Sequence, residues 1–249
     1  MNTNNRITCK RVDRRLRGPR QTGVSLVEFT LIIPFALLFV LGIIQTGLLY
    51  SAKELLNEGT FMAARAGAMQ NAKPDEIRKA MTKALIPFYQ DTSNNIDYLR
   101  LANALRDAGD DTNCSTPNSC FLTIDVLNPT PAAFTDFGRT GSGLGGRTYI
   151  PNDNLEYRSR APGLASGLTI QDANVLKIKV TYGYEIKVPL MKFVMRSVMC
   201  GVRINVDAFD GTTPGGDAST TNCTKYYSQG RVPLVSFATV QMQSPAVRN

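Results

Sequence analysis

From Leu26 to Tyr50 the chain reads LVEFTLIIPFALLFVLGIIQTGLLY, 25 residues in which Glu28 is the one ionisable side chain before the closing tyrosine. At about 1.5 Å per helical residue this run exceeds the roughly 30 Å of a bilayer's hydrocarbon core. A cleaved secretory signal would have an apolar stretch of about 7 to 15 residues followed by a small-residue site. Here the stretch is longer and runs into LLYSAKELLNEG without such a site. The sequence therefore predicts a single membrane-spanning helix, taken as residues 24–50.

The charge distribution orients that helix. Arg6, Lys10, Arg11, Arg14, Arg15, Arg17 and Arg20 precede it against the single Asp13, a local net of +6 out of the chain's +8. A basic flank stays on the cytoplasmic side, which places residues 1–23 in the cytoplasm as a leader and exports everything after Tyr50. The folded part, with 21 basic and 19 acidic groups, lacks the clustered positive charge that a nucleic-acid groove requires, so no nucleic-acid partner is expected. The 249 residues contain no histidine. That removes Ser-His-Asp and Cys-His catalysis and every His-ligated zinc site, and no catalytic residue, metal or cofactor is assigned.

Cysteine usage agrees with export. Cys9 lies on the leader, leaving Cys114, Cys120, Cys200 and Cys223 in the outer part. Four cysteines allow three pairings; their order along the chain favours Cys114 with Cys120 and Cys200 with Cys223, with four buried free thiols as the alternative. A four-cysteine zinc site fails because neither pair has the spacing of a zinc knuckle.

Beyond the span, Ala52, Leu55, Leu56, Gly59, Met62, Ala63, Ala66 and Met69 recur at helical steps, with Lys53, Glu54, Asn57, Glu58 and Arg65 off that face. The membrane helix should continue outward as an amphipathic helix, about 70 Å in all if unbroken from Val24 to Gln70. Pro74, followed by Asp75 and Glu76, reads as the first turn of a second helix ending near Tyr89. Residues 96–108 suggest a third. Alternation in FLTIDVL (121–127) and VLKIKVTYGYEIKV (175–188) predicts half-buried antiparallel strands, with another at 234–242. The Pro-, Gly- and Ser-rich stretch 128–172 reads as a partly disordered insertion, and 189–199 as a short helix. The expected fold class is α+β: a long N-terminal transmembrane helix continuing into an amphipathic helix, packed on a small antiparallel sheet with disulfide-stapled loops, the outer domain spanning 51–249.

At the join of leader and span stand Gly23, Val24, Ser25, Leu26, Val27, Glu28 and Phe29. A carboxylate at the centre of a membrane helix costs about 2.5 to 3.5 kcal/mol on insertion scales, and less near the interface, so Glu28 needs a partner and a purpose. This arrangement resembles the processing site of type IV prepilins, whose dedicated membrane peptidase cuts after the glycine. The wider stretch 18–69 is similar to the TadE-like pseudopilins of tight-adherence (Flp) pilus systems. The resemblance includes Glu28 with Phe29, Pro34, Gly42, Gly47 and the Ala-Ala-Arg-Ala run Ala63–Ala66; Gln45 stands where an acidic residue is expected.

The resemblance implies a type IV pilin-like fold and cleavage between Gly23 and Val24 by a prepilin peptidase. It also implies pairing of the new amine with Glu28, and assembly with other pilins and pseudopilins. The protein would sit in the lipid of a bacterial inner membrane, single-pass, with its C-terminal domain in the periplasm, and would reach a pilus that serves surface attachment. Pro34 removes one backbone hydrogen bond and should kink the helix. The competing reading is an uncleaved, signal-anchored periplasmic binding module or an unusual hydrolase. Other motifs are declined: Gly141, Gly143 and Gly146 form G-x-G-x-x-G without the strand and helix it needs, Asp107, Asp110 and Asp111 lack a calcium spacing, and Tyr182, Tyr184, Tyr226 and Tyr227 suit sheet packing.

Overall fold

The computed structural model describes residues 26–90, 96–112, 121–141, 146–201, 223 and 225–248. Four helices come from the chain up to Phe137: α1 (Leu26–Met69), α2 (Pro74–Tyr89), α3 (Asp97–Thr112) and, after strand β1 (Leu122–Asn128), α4 (Pro131–Phe137). Then follow β2 (Arg139–Thr140), β3 (Thr148–Ile150), the short α5 (Ile170–Ala173), β4 (Val175–Glu185), α6 (Met191–Gly201), β5 (Arg231–Gln241) and β6 (Ala246–Val247). The fold is α+β with a pilin-like arrangement, a long apolar N-terminal helix followed by helices and small antiparallel sheets. The chain divides after Val40 into two units. The first contributes the apolar helical stretch up to Val40; all the sheets belong to the second.

The second unit is built on the central strand β4. Leu176, Ile178, Val180, Tyr182 and Tyr184 are buried, every second residue, while Lys177 is exposed on the other face, as the pleat dictates. β4 pairs with β1 on one side (Leu122 opposite Tyr182) and β5 on the other (Val175 opposite Gln241, Glu185 opposite Arg231), both antiparallel. α2 begins at Pro74 because proline fits the first helical position, where its missing N–H is not needed. It buries Ile77, Met81 and Leu85, four residues apart and therefore on one stripe.

These side chains meet α1 where α1 is small. A Cβ on Gly59 would stand 2.9 Å from Cβ of Ala84, and one on Gly67 would stand 2.6 Å from Ile77 Cγ1 and 3.0 Å from Leu176 Cδ2. The buried face of α1 differs from the expected one at this point. Leu49, Ala52, Leu56, Thr60, Ala63, Ala64 and Ala68 are buried, whereas Leu55, Met62 and Met69 are exposed. Close approach to Ile77 and Leu176 selects the face that carries glycine and alanine and turns the three large side chains onto the flank.

The C-terminal tail closes the last turn of α1, whose carbonyls lack intrahelical donors. Backbone N–H groups of Gln243 and Ser244 and the Ser244 hydroxyl donate to the Ala68 carbonyl, and Val247 N–H donates to Asn71 O. Asn71 and Ala72 take left-handed φ values of 62° and 56°, which turn the chain toward α2.

The stretch 128–172, expected as a partly disordered insertion, instead holds α4, β2, β3 and the start of α5 among its described residues. β3 pairs with β2 and with the C-terminal β6 to form a second three-stranded sheet. Asp136 on α4 gathers the loop after it: its carboxylate accepts the Ser166 hydroxyl and N–H, both at 2.7 Å, and the Ala165 N–H. These bonds, the Ser166 hydroxyl first, hold the Asp136 carboxyl below the usual range.

Candidate functional site

α1 carries the sequence-predicted site. Glu28 lies in its first turn, where a negative charge is favoured by the helix dipole, and is exposed. Phe29 beside it is 58% exposed. Pro34 lies within α1, which continues on both sides of it. Leu31, Ile32, Ile33, Phe35, Phe39 and Val40 all present their side chains outward, so this stretch is apolar around its circumference. A helix of that kind is buried in a large core or spans a membrane, and among the described residues α1 is the one helix long and apolar enough to cross a bilayer. Gly23 and Val24, the expected processing site, lie outside the described residues, as do Cys114 and Cys120. Gly42 and Gly47 have nothing within 4 Å of a notional Cβ.

From Leu41 onward the apolar run enters the second unit. Gln45 is fully buried. Its Oε1 accepts the backbone N–H of Val188 at 3.2 Å, while Nε2 has no hydrogen-bond partner among the described residues. Leu49 belongs to the same core cluster as Val188 and Met191. Sequence reasoning registered Gln45 only as a departure from an expected acidic residue. The signal that marks it is a carboxamide inside an apolar run, a polar group that needs a partner when buried.

Further out, Ala63 and Ala64 of the Ala-Ala-Arg-Ala run are completely buried and Arg65 is exposed. The run therefore serves packing between α1 and its neighbours. With that geometry in view, the comparison with known families is decisive for one segment. Residues 23–65 match the family model of TadE-like proteins. The TadE-like segment begins at Gly23, contains Glu28, Phe29, Pro34 and Gln45, and ends within the buried alanine run. It covers less than a fifth of the chain, which leaves α2 to β6 outside it. No curated protein and no solved structure matches the chain.

The disulfide Cys200–Cys223 is present, with 5.7 Å between its Cα atoms; it joins the end of α6 to the segment that leads into β5. Outside the TadE-like segment, Tyr182 and Tyr184 are buried on β4, the fate expected for sheet tyrosines, whereas Tyr226 and Tyr227 lie off the sheets, in the turn before β5, with Tyr226 buried there. Asp111 accepts from the Tyr89 hydroxyl and lies 3.8 Å from Arg231 Nη1, contacts that link α3 to α2 and β5. Among the described residues no cluster of three or more His, Cys, Asp or Glu is placed to hold a metal ion.

Proposed function

We propose that this protein is a minor pilin or pseudopilin of a tight-adherence (Flp-type) pilus, with a structural role in assembly and no catalysis of its own. The observation that carries the reading is the TadE-like match at residues 23–65, which begins at the glycine where a prepilin peptidase would cut. In this reading residues 1–23 are a cytoplasmic leader and 24–50 span the inner membrane. The remainder lies in the periplasm until the subunit joins other pilins and pseudopilins in the pilus or its base, in the service of surface attachment.

The chemistry of processing supports that role. Cutting between Gly23 and Val24 creates a cationic amine four residues before Glu28 and removes a leader of net charge +6. Loss of the leader weakens the cytoplasmic anchor, so the subunit is more easily withdrawn from the bilayer. The amine can neutralise Glu28 of the same or a neighbouring subunit, and in an apolar setting such a pair fixes the register between packed helices. N-terminal sequencing of membrane-extracted protein tests the reading. A chain starting at Val24 is the expected result, whereas an intact leader would favour a signal-anchored protein that is not assembled into a filament.

A further inference from the structure

Two surfaces of the second unit carry opposite charge at the same spacing. On the exposed side of α1, Tyr50, Glu54, Glu58 and Phe61 follow one another at helical steps and share one face. Tyr50 is 69% and Phe61 51% exposed, and neither glutamate forms a salt bridge among the described residues. Beside this face lies the flank stripe Leu55, Met62 and Met69, three exposed apolar side chains that recur every seven residues.

The second surface is a groove. A cavity of about 520 Å³ is lined by Ala66 and Met69 of α1, Lys79, Ala80 and Lys83 of α2, and Leu105 of α3, a size ordinary for a binding pocket. Lys79 pairs with Glu76 at 2.9 Å, whereas Lys83 forms no salt bridge among the described residues. The Lys79 hydrogen bond first, then the charges of Lys79, Lys73 and Lys83, hold the Glu76 carboxyl below the usual range. One carboxylate thus stands among three lysines, and the rim of an apolar groove keeps an excess of positive charge.

We propose that the groove of one copy receives the exposed α1 face of a second copy, a head-to-tail contact between identical chains. α2 runs antiparallel to α1, since Gly67 lies against Ile77 and Gly59 against Ala84. Lys79 is therefore about level with Arg65 of its own α1, and Lys83 with Phe61. With the two α1 helices parallel, Glu58 of the second copy meets Lys79 and Glu54 meets Lys83 at one common offset of about seven residues, roughly 10 Å. The same offset superimposes the flank stripe on itself: Leu55 of the second copy comes beside Met62, and Met62 beside Met69, while Phe61 enters the cavity near Met69 and Leu105. Charge and apolar period select one register, and that agreement favours a second copy over an unrelated partner. Because the two surfaces differ, each contact leaves one groove and one face free, so the contact can repeat in an open series. The contact uses the second unit alone; its place in a filament rests on the pilin reading, in which one copy is drawn outward by about 10 Å relative to the next.

The test is photo-crosslinking of the full-length protein with p-benzoylphenylalanine in place of Phe61, made in cells that contain the peptidase and then solubilised in detergent, where no bilayer fixes the depth of each copy. Illumination should give a band of twice the chain mass, and peptide mapping should place the crosslink near Met69 or Leu105 of the second copy. Lys79→Glu with Lys83→Glu should lower the yield about tenfold, as two exposed ion pairs turned into like-charge pairs would. Glu54→Lys with Glu58→Lys should do the same, and all four substitutions in one chain should restore the band. A crosslink to a different protein, to detergent alone, or to another part of the second copy overturns the proposal, as does a charge reversal that leaves the yield unchanged. N-terminal sequencing of the same material separates this outcome from the fate of the pilin reading. A chain that starts at Val24 and gives no such crosslink overturns the contact alone, whereas a crosslinked chain with an intact leader keeps the contact and removes the filament.

Discussion

The hydroxyl of Tyr182 on β4 donates to that of Tyr89 at the end of α2 at 3.1 Å, and Tyr89 donates in turn to the carboxylate of Asp111 on α3. Arg231 on β5 closes the network, 3.8 Å from Asp111 and bonded to Gly183 O at 2.9 Å. Three elements are thereby tied to the central strand by polar groups in a largely apolar setting, where Phe88 packs on the Tyr182 ring at a centroid separation of 5.2 Å. Tyr89→Phe preserves the ring and removes both the donor to Asp111 and the acceptor for Tyr182. Unsatisfied buried groups cost about 1 to 3 kcal/mol each, so the full-length protein in detergent should melt several degrees lower.

The same network predicts an alkaline limit. Burial, reinforced by neighbouring Tyr182 and Asp111, raises the Tyr89 hydroxyl above its usual 10.0, and burial raises Tyr182 likewise. A raised folded value means that the neutral form is favoured by folding. This contribution is complete below the unfolded pKa of about 10 and is lost as pH rises beyond it. Absorbance at 295 nm should show two tyrosines that ionise only together with unfolding, and Tyr89→Phe should leave a shallower loss of stability above that pH. Full ionisation of every tyrosine in the still-folded protein would contradict this.

Gly67 sets how closely α1 approaches its neighbours. A Cβ there would stand 2.6 Å from Ile77 Cγ1, and Leu176 blocks the other direction at 3.0 Å. Alanine would be favoured over glycine in a helix by about 1 kcal/mol, but overpacking a tight core costs about 1 to 3 kcal/mol. Gly67→Val adds a branched side chain to the same clash, and it should lower stability more than Gly67→Ala, as read by thermal melting of both variants. Gly42→Ala, placed where a Cβ meets nothing, should not disturb folding.

Much of this architecture was legible in the residues. Alternation in VLKIKVTYGYEIKV marked β4 because its two faces differ, and Pro74 marked the start of α2 because its ring suits that position. The second sheet was not legible: Arg139–Thr140, Thr148–Ile150 and Ala246–Val247 are too short to show a period of two. Nor was the buried face of α1, since Leu55 and Leu56 fit a helical stripe equally well until Ile77 and Leu176 choose between them. The link from Gln45 to Val188 spans 143 positions, and no local pattern announces such a contact. The TadE-like segment in which Glu28 and Phe29 stand was legible as a block, and the Cys200–Cys223 bridge from chain order.

That bridge should be structural. It closes a segment with a sequence separation of 23, and bridges of this kind typically contribute about 2 to 4 kcal/mol. Replacing both cysteines by serine should lower stability by that order. Mass mapping of non-reduced peptides from periplasmically folded protein should find this pair together with Cys114–Cys120. Crossed pairing, or free thiols at 114 and 120, would remove the second bridge from the account.

Cleavage should depend on Gly23. A bulky Gly23→Phe is expected to leave a precursor about 2.5 kDa larger than the mature form, from 23 retained residues at roughly 110 Da each. Immunoblots of cells containing the peptidase should show the shift, and identical mobility for variant and wild type would rule out processing at this bond.

In the proposed pilin role, Glu28 is where processing and assembly would meet. It lies in the first turn of α1, exposed within the TadE-like segment, four residues from the amine that cleavage at Gly23 would create. Glu28→Gln keeps size and much of the hydrogen-bonding capacity but removes the charge, so insertion and cleavage should persist. The amine would then lack its counter-charge in an apolar filament, a loss of several kcal/mol where it is buried. Surface piliation, or crosslinking to other pilins, should therefore fall while the abundance of processed protein and its disulfides stay normal. Glu28→Ala should be no better than Glu28→Gln, and Glu28→Asp, shorter by one methylene, should be intermediate. Measuring piliation beside processed-protein abundance separates an assembly defect from a folding or export defect. Wild-type piliation with Glu28→Ala would show that the carboxylate is incidental and that register between subunits is fixed elsewhere.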